Sequence, residues 1–95
     1  MNPTDNYTAA DIERWLGKKE VGKGESYVDA VSGLDIQADA ISANVQGTAH
    51  RPYQVAISFY TDIRGSWQID DRCTCPVASR CKHCAATLLA ALARR

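Results

Sequence analysis

The strongest constraint on this chain is a group of potential metal ligands near its C-terminal end, where three of the four cysteines and one of the two histidines lie close together. Cys73 and Cys75 are two positions apart, so both side chains can leave the same face of an extended segment. Pro76 then ends that segment, because proline has no N–H for a strand ladder. Cys81 and His83 repeat the spacing, and we expect them where the chain enters a helix. Paired thiolate and imidazole ligands suit a tetrahedral zinc ion, so the stretch predicts a zinc site.

Whether clustered cysteines form disulfides or bind a metal depends on whether their cellular compartment is oxidising or reducing. No apolar run is long enough for a membrane span, and the polar start at Met1–Asn6 lacks the apolar core of a signal peptide. We therefore expect a cytoplasmic protein with reduced thiols, in which cysteines beside a histidine are metal ligands more often than disulfides. A disulfide framework is the alternative, although a bond between Cys73 and Cys75 would close a strained loop.

The N-terminal part predicts one short helix. We expect a loose end at Met1–Tyr7 and then a helix at residues 9–16, where Thr8 and Asp11 match a capping box. Gly17–Gly24 matches most of the phosphate-binding pattern G-x-x-x-x-G-K-[ST], but Gly24 replaces the hydroxyl residue and a strand pattern follows. We interpret this segment as a flexible linker. The chain then divides into residues 1–22, with the tail, helix and linker, and residues 23–95, the zinc-binding domain.

The middle of the chain alternates apolar and polar residues, as strands with one buried face do. We expect Tyr53, Phe59 and Trp67 to pack in the core at this spacing, and His50 to lie in a solvated turn. The alternation covers residues 27–31, 34–36, 41–45, 53–59 and 67–69, with turns at Ser32-Gly33, Gly47–Pro52 and Asp62–Gly65.

The final segment predicts a helix that packs on this sheet. Ser79 is a candidate N-cap, and Ala85, Leu88, Leu89 and Leu92 form one apolar stripe. The 95 residues suffice for one domain with a modest core, to which a bound metal would add stability. The predicted fold class is α+β: an antiparallel β-meander with a short N-terminal helix and a C-terminal helix, stapled by one structural zinc.

Charge is unevenly distributed although the net charge is zero. Residues 1–71 carry six basic and eleven acidic side chains, whereas residues 72–95 carry five basic and no acidic ones. The end with the metal ligands is therefore the positive end. Its basic side chains are candidates for contact with nucleic-acid phosphates, although each is equally explained as a solvated charge: Arg72, Arg80, Lys82, Arg94 and Arg95.

The pattern Cys73-x-Cys75, five residues, then Cys81-x-His83 resembles the SWIM zinc finger, C-x-C-x(n)-C-x-H. The run Cys-Thr-Cys-Pro-Val and the Leu/Ala-rich helix after His83 strengthen this resemblance. Residues 43–48 and 52–57 also resemble the segment that precedes the finger in the N-terminal regions of bacterial helicase-like ATPases of the chromatin-remodeller type. The resemblance covers roughly residues 23–91.

The resemblance implies that the ligands are Cys73, Cys75, Cys81 and His83. Cys84 departs from the family pattern, which usually has an aliphatic residue there, and it could compete as the fourth ligand. We expect His83 to be the ligand and Cys84 to be a small residue beside the core. Four protein ligands close the tetrahedron, which makes the zinc structural and leaves no position for a substrate.

Three classes of function follow. The resemblance implies DNA binding or protein interaction, with DNA, a helicase-like ATPase domain or another protein as partner. The neutral net charge slightly favours protein docking without DNA affinity. A zinc enzyme, or a redox switch that uses Cys84 as a free thiol, is the third class, and no paired nucleophile and base supports an enzyme. We expect no membrane partner, no small-molecule substrate and no catalytic activity.

Overall fold

The architecture is an antiparallel sheet covered on one face by helices, as seen in a computed structural model that describes residues 2–95. The four strands form a meander in the order β1-β2-β3-β4. This confirms the predicted α+β class, with helices at both ends of the sequence. The elements are α1 (Ala9–Leu16), α2 (Lys18–Glu25), β1 (Val31–Ile36), β2 (Ala40–Val45), β3 (Tyr53–Thr61), β4 (Trp67–Cys73) and α3 (Lys82–Ala93), with single 3₁₀ turns at Pro3–Asp5 and Val28–Ala30.

Strand register sets which side chains enter the core. Ile41 pairs with Ile57, and Val55 pairs with Cys73, so the apolar residues of neighbouring strands share one face. Helix α3 packs on that face, where Leu88 is fully buried. Cys73 is the last residue of β4, and its side chain is buried on the same inner face. The sheet therefore directs Cys73, the first of the candidate metal ligands, towards α3.

The N-terminal end is tied to the core, so the predicted loose end is wrong for the described residues 2–7. Tyr7 is buried, and its hydroxyl donates a hydrogen bond of 2.5 Å to the carbonyl oxygen of Leu88. The hydroxyl of Thr4 donates to the carbonyl of Gln37 at 2.6 Å. Helix α1 follows at the predicted residues, and both hydrogen bonds of the Thr8–Asp11 capping box form. These contacts bring the first helix onto the sheet and α3.

Residues 18–25 form helix α2, which corrects the predicted flexible linker. Gly17 has a φ of 89°, in the region that favours glycine, and lets the chain turn sharply between α1 and α2. A Cβ at Gly24 would lie 2.6 Å from Ala85 Cβ, so the missing side chain lets α2 approach α3 closely. Of the glycines that imitate a phosphate-binding loop, Gly17 thus serves the turn and Gly24 serves helix packing.

Three further predictions for the sheet are wrong in detail. The strand expected at residues 27–31 is mostly the 3₁₀ turn Val28–Ala30, and Ser32-Gly33 lies inside β1 at a shift in register rather than in a turn. Trp67 is 40% exposed at the start of an edge strand and is not a core residue, whereas Phe59 is buried as predicted. The turns between β2 and β3 and between β3 and β4 lie where the sequence predicts them. Within residues 2–95, no helix has the length and apolar character needed to cross a bilayer.

Candidate metal centre

Four side chains converge where β4, the following loop and α3 meet. Cys73 is the last residue of β4, Cys75 lies in the loop, Cys81 is the N-cap of α3, and His83 is in its first turn. One ligand atom from each lies within 4.8 Å of the others, and all four residues are buried. The cluster can hold a metal ion. Cysteine, and not the predicted Ser79, occupies the helix N-cap.

The histidine geometry fits a metal bound through Nδ1. This atom lies 3.7 Å from Cys73 Sγ and 3.8 Å from Cys81 Sγ. In a tetrahedral zinc site, bonds of about 2.3 Å to sulfur and about 2.0 Å to nitrogen place such atoms about 3.5 Å apart. The other ring nitrogen, Nε2, is buried without a hydrogen-bond partner among the described residues. A metal at Nδ1 would leave Nε2 in this state, so the fit to a metal rests on the Nδ1 distances and on the soft donor set.

Backbone hydrogen bonds shape the loop that carries Cys75. The N–H of Cys73 donates to the carbonyl of Ala78 at 2.6 Å, and the N–H of Ala78 donates to the carbonyl of Cys75 at 3.0 Å. The N–H of Arg80 donates to Asp71 Oδ2 at 2.6 Å. Ala78 and Arg80 have φ values of 72° and 49°, a conformation that side-chain-bearing residues rarely adopt. These reversals turn the chain back within five residues, so that Cys81 faces Cys73.

The thiols differ in their tendency to ionise. Burial raises the pKa of Cys73 to about 12. The pKa of Cys81 is lowered to about 4, mainly because the thiol of Cys84 donates a hydrogen bond to its thiolate. The same hydrogen bond, together with burial, raises the pKa of Cys84. Thiolates, and not thiols, are metal ligands. A bound cation would stabilise the charged form of Cys73, which burial disfavours.

Cys84 is not part of the converging group. Its Sγ lies 3.7 Å from Cys81 Sγ, and its side chain is completely buried. The group contains His83 and the three cysteines of the C-x-C and C-x-H pairs. Cys84 instead lies against one member of the group.

Aromatic residues enclose the histidine, a feature that sequence analysis missed. The ring of His83 lies 5.3 Å from the ring of Tyr27 and 4.6 Å from that of Tyr53, measured between centroids. A Cβ at Gly47 would lie 2.6 Å from the Tyr53 ring and 3.2 Å from His83 Nε2, so any side chain there would displace the Tyr53 ring. Strand spacing marked Tyr53 as a core residue, but no local signal linked it, Tyr27 or Gly47 to the metal ligands.

The five basic candidates do not form one surface. Arg72 projects from the outer face of the sheet, where its side chain is 81% exposed and lies 3.7 Å from Asp70. Arg80 is in the ligand loop, and Lys82 Nζ lies 4.9 Å from the centroid of the Tyr27 ring. Arg94 and Arg95 are at the other end of α3, about 18 Å away for twelve helical residues.

Arg95 has a structural role. Its guanidinium donates hydrogen bonds to the carbonyl oxygens of Thr4 and Tyr7 and lies over the Tyr7 ring. These contacts tie the C-terminal end of α3 to the N-terminal segment. His50 is exposed in the loop before β3, as predicted.

Comparison of the chain with protein-family profiles, with curated proteins and with solved structures gave no match.

Proposed function

We propose that this chain is a zinc-binding module of the SWIM type with one structural zinc. The observation that supports this most directly is the convergence of four buried ligand atoms, from Cys73, Cys75, Cys81 and His83, within 4.8 Å of one another. Three thiolates and one imidazole are a soft donor set that favours zinc over magnesium or calcium. Reduced thiols are needed for this site, which is consistent with a cytoplasmic protein.

The four ligand residues lie on three different segments of the fold, which a bound metal would join. Cys73 anchors the end of β4, Cys75 the loop, and Cys81 with His83 the start of α3. When zinc is bound, it joins these three elements by bonds that the unfolded chain cannot make in the same arrangement, so metal binding adds to folding stability. Because four protein ligands leave no open coordination position, we infer that the site is not catalytic.

We infer that the module binds a macromolecule at the metal end, and the first candidate is DNA. Arg72, Arg80 and Lys82 are each adjacent in sequence to a ligand cysteine, so zinc binding would fix their backbone positions together. The SWIM resemblance also makes a DNA-acting, helicase-like ATPase a candidate partner. Of the two basic residues at the other end of α3, Arg95 is engaged with the N-terminal segment and is not proposed as a phosphate contact.

Protein docking without DNA affinity is the second candidate. The dispersal of the basic side chains and the zero net charge favour it, since phosphate binding draws on clustered positive charge.

A salt titration separates the two candidates. Zinc-loaded protein is titrated with short duplex DNA at two salt concentrations, in the parent and in the triple variant Arg72→Gln, Arg80→Gln, Lys82→Gln. Three phosphate contacts predict a slope of log affinity against log salt of about −3, lost in the triple variant. The matched control is Lys18→Gln with Lys19→Gln, two exposed lysines on α2. Absence of salt-dependent binding by the parent would reject DNA and leave docking.

A further inference from the structure

Cys81 and Cys84 form a C-x-x-C pair at the start of a helix. Cys81 is the N-cap of α3 and Cys84 is in its first turn, and their sulfur atoms lie 3.7 Å apart. A disulfide bond of about 2.05 Å requires the two sulfurs to approach by about 1.7 Å. The four cysteines are unpaired thiols in the structure.

The two cysteines differ in role. Cys81 belongs to the converging ligand group, whereas Cys84 does not, so a metal ligand here has a non-ligand thiol directly against it. Every other cysteine of the chain is itself a member of the ligand group. Cys84 is thus the one thiol that can bond to Cys81 without giving up a metal bond of its own.

Access to the pair is from one side. Cys81 lies on the wall of a cleft of about 280 Å³ that is open to solvent and is also lined by Cys75, Val77 and Lys82. Cys84 is not on that wall and is completely buried. Cys81 is itself only 2% exposed, so a small oxidant would approach its sulfur from this cleft, whereas Cys84 has no exposed surface. This is the arrangement of an attacked cysteine and a resolving cysteine.

We propose that Cys81 and Cys84 are a redox pair, and that oxidation of this pair to a disulfide by hydrogen peroxide releases the metal ion. The proposal rests on the proposed function only in that a metal is bound to Cys81. Cys75 and Cys81 both line the cleft, and Cys81 is the one whose sulfur lies against that of Cys84. Formation of the disulfide removes Cys81 from the four metal ligands.

The reaction balances in two steps. The Cys81 thiolate sulfur attacks one peroxide oxygen, the O–O bond breaks, and hydroxide leaves, giving the sulfenic acid. The Cys84 sulfur then attacks the Cys81 sulfur, the S–S bond forms, and the S–O bond breaks. The departing oxygen leaves as hydroxide, and the thiol proton of Cys84 converts one hydroxide to water. The sulfur pair loses two electrons, peroxide gains two, and the zinc ion keeps its oxidation state and is released.

The test uses the zinc-loaded full chain and hydrogen peroxide. Released zinc is followed with a chromogenic chelator, remaining thiols are alkylated, and disulfides are mapped by mass spectrometry after trypsin cleavage, which cuts between the two cysteines at Lys82. We expect zinc release to parallel a cross-link between the Cys81 and Cys84 peptides, and both to be reversed by dithiothreitol and added zinc. Cys84→Ala and Cys84→Ser retain the four ligands, and both should lose the cross-link and the reversibility that depends on it.

The possible results separate this proposal from the zinc assignment. Zinc release from both Cys84 variants at the parental rate and with parental recovery would overturn the proposal. So would a parent in which peroxide links other cysteines, or leaves all thiols reduced. These mapping results come from the parent and do not depend on the variants folding. Absence of zinc from the untreated parent would instead reject the proposed function, because it is measured before peroxide is added.

Discussion

The close contact between α2 and α3 predicts opposite effects for two glycine substitutions in one helix. A Cβ at Gly24 would lie 2.6 Å from Ala85 Cβ, 3.0 Å from Ala86 N and 3.0 Å from Lys82 O. Carbon atoms in ordinary contact are about 3.5–4.0 Å apart, so α2 would have to move outward by about 1 Å. Two of the three contacted atoms belong to the α3 backbone and cannot rotate away. Gly24→Ala therefore separates the helices.

Gly22 provides the matched control. It lies in the same helix, and a Cβ there would meet nothing within 4 Å. Both substitutions gain about 1 kcal/mol of helix propensity. Only Gly24→Ala also overpacks the helix contact, which destabilises a protein by about 1–3 kcal/mol. Because two of the contacted atoms are in the backbone, we expect a destabilisation near the upper end of that range. We expect Gly22→Ala to be more stable than the parent and Gly24→Ala to be less stable by up to about 2 kcal/mol.

The assay is thermal unfolding of zinc-loaded protein, followed by circular dichroism and checked by urea titration. A difference of about 3 kcal/mol between the variants corresponds to a separation in Tm of at least about 12 °C for a domain of this size. If Gly24→Ala were as stable as Gly22→Ala, the helices would not be in the contact described, and the account of this glycine would be refuted.

Two other substitutions test contacts at the start and in the middle of α3. Gly47→Ala should weaken metal binding about tenfold in a chelator competition, because the added Cβ displaces the Tyr53 ring and crowds His83 Nε2, while Gly22→Ala should leave the affinity unchanged. Tyr7→Phe should cost about 1 kcal/mol at neutral pH, since the hydrogen bond to Leu88 O is lost. Burial raises the pKa of Tyr7 to about 12, above its unfolded value of about 10, so the Tyr7 contribution is complete below pH 10 and is lost as the pH rises towards 12. Stability curves of the two proteins against pH should therefore converge in that range, and parallel curves would contradict the assignment.

Local signals predicted the parts of the fold that local interactions determine. The capping box of Thr8 and Asp11 located α1, because its hydrogen bonds span only three residues. Alternating apolar residues located β2 and β3, and the spacing of Cys73, Cys75, Cys81 and His83 identified the side chains that the fold brings together. Each of these features depends on residues that are close together in the sequence, so the sequence pattern is enough to predict it.

Long-range packing determined what the sequence did not reveal. Helix α2 contains two glycines, which lower helix propensity, and its packing against α3 overcomes that cost. Arg95 and Tyr7 are separated by most of the chain, so their contact has no local signature. The same is true of Tyr27 and Tyr53, which enclose His83 from separate segments.

We expect Cys73, Cys75, Cys81 and His83 to hold one zinc ion, with Cys84 outside the ligand set. Elemental analysis of the purified, freshly reduced chain, repeated on His83→Ala and Cys84→Ala, measures this. One zinc per chain is expected in the parent and in Cys84→Ala, with marked loss of zinc in His83→Ala. A folded parent without zinc, or a chain that loses zinc with Cys84→Ala and keeps it with His83→Ala, would show that this ligand assignment is wrong.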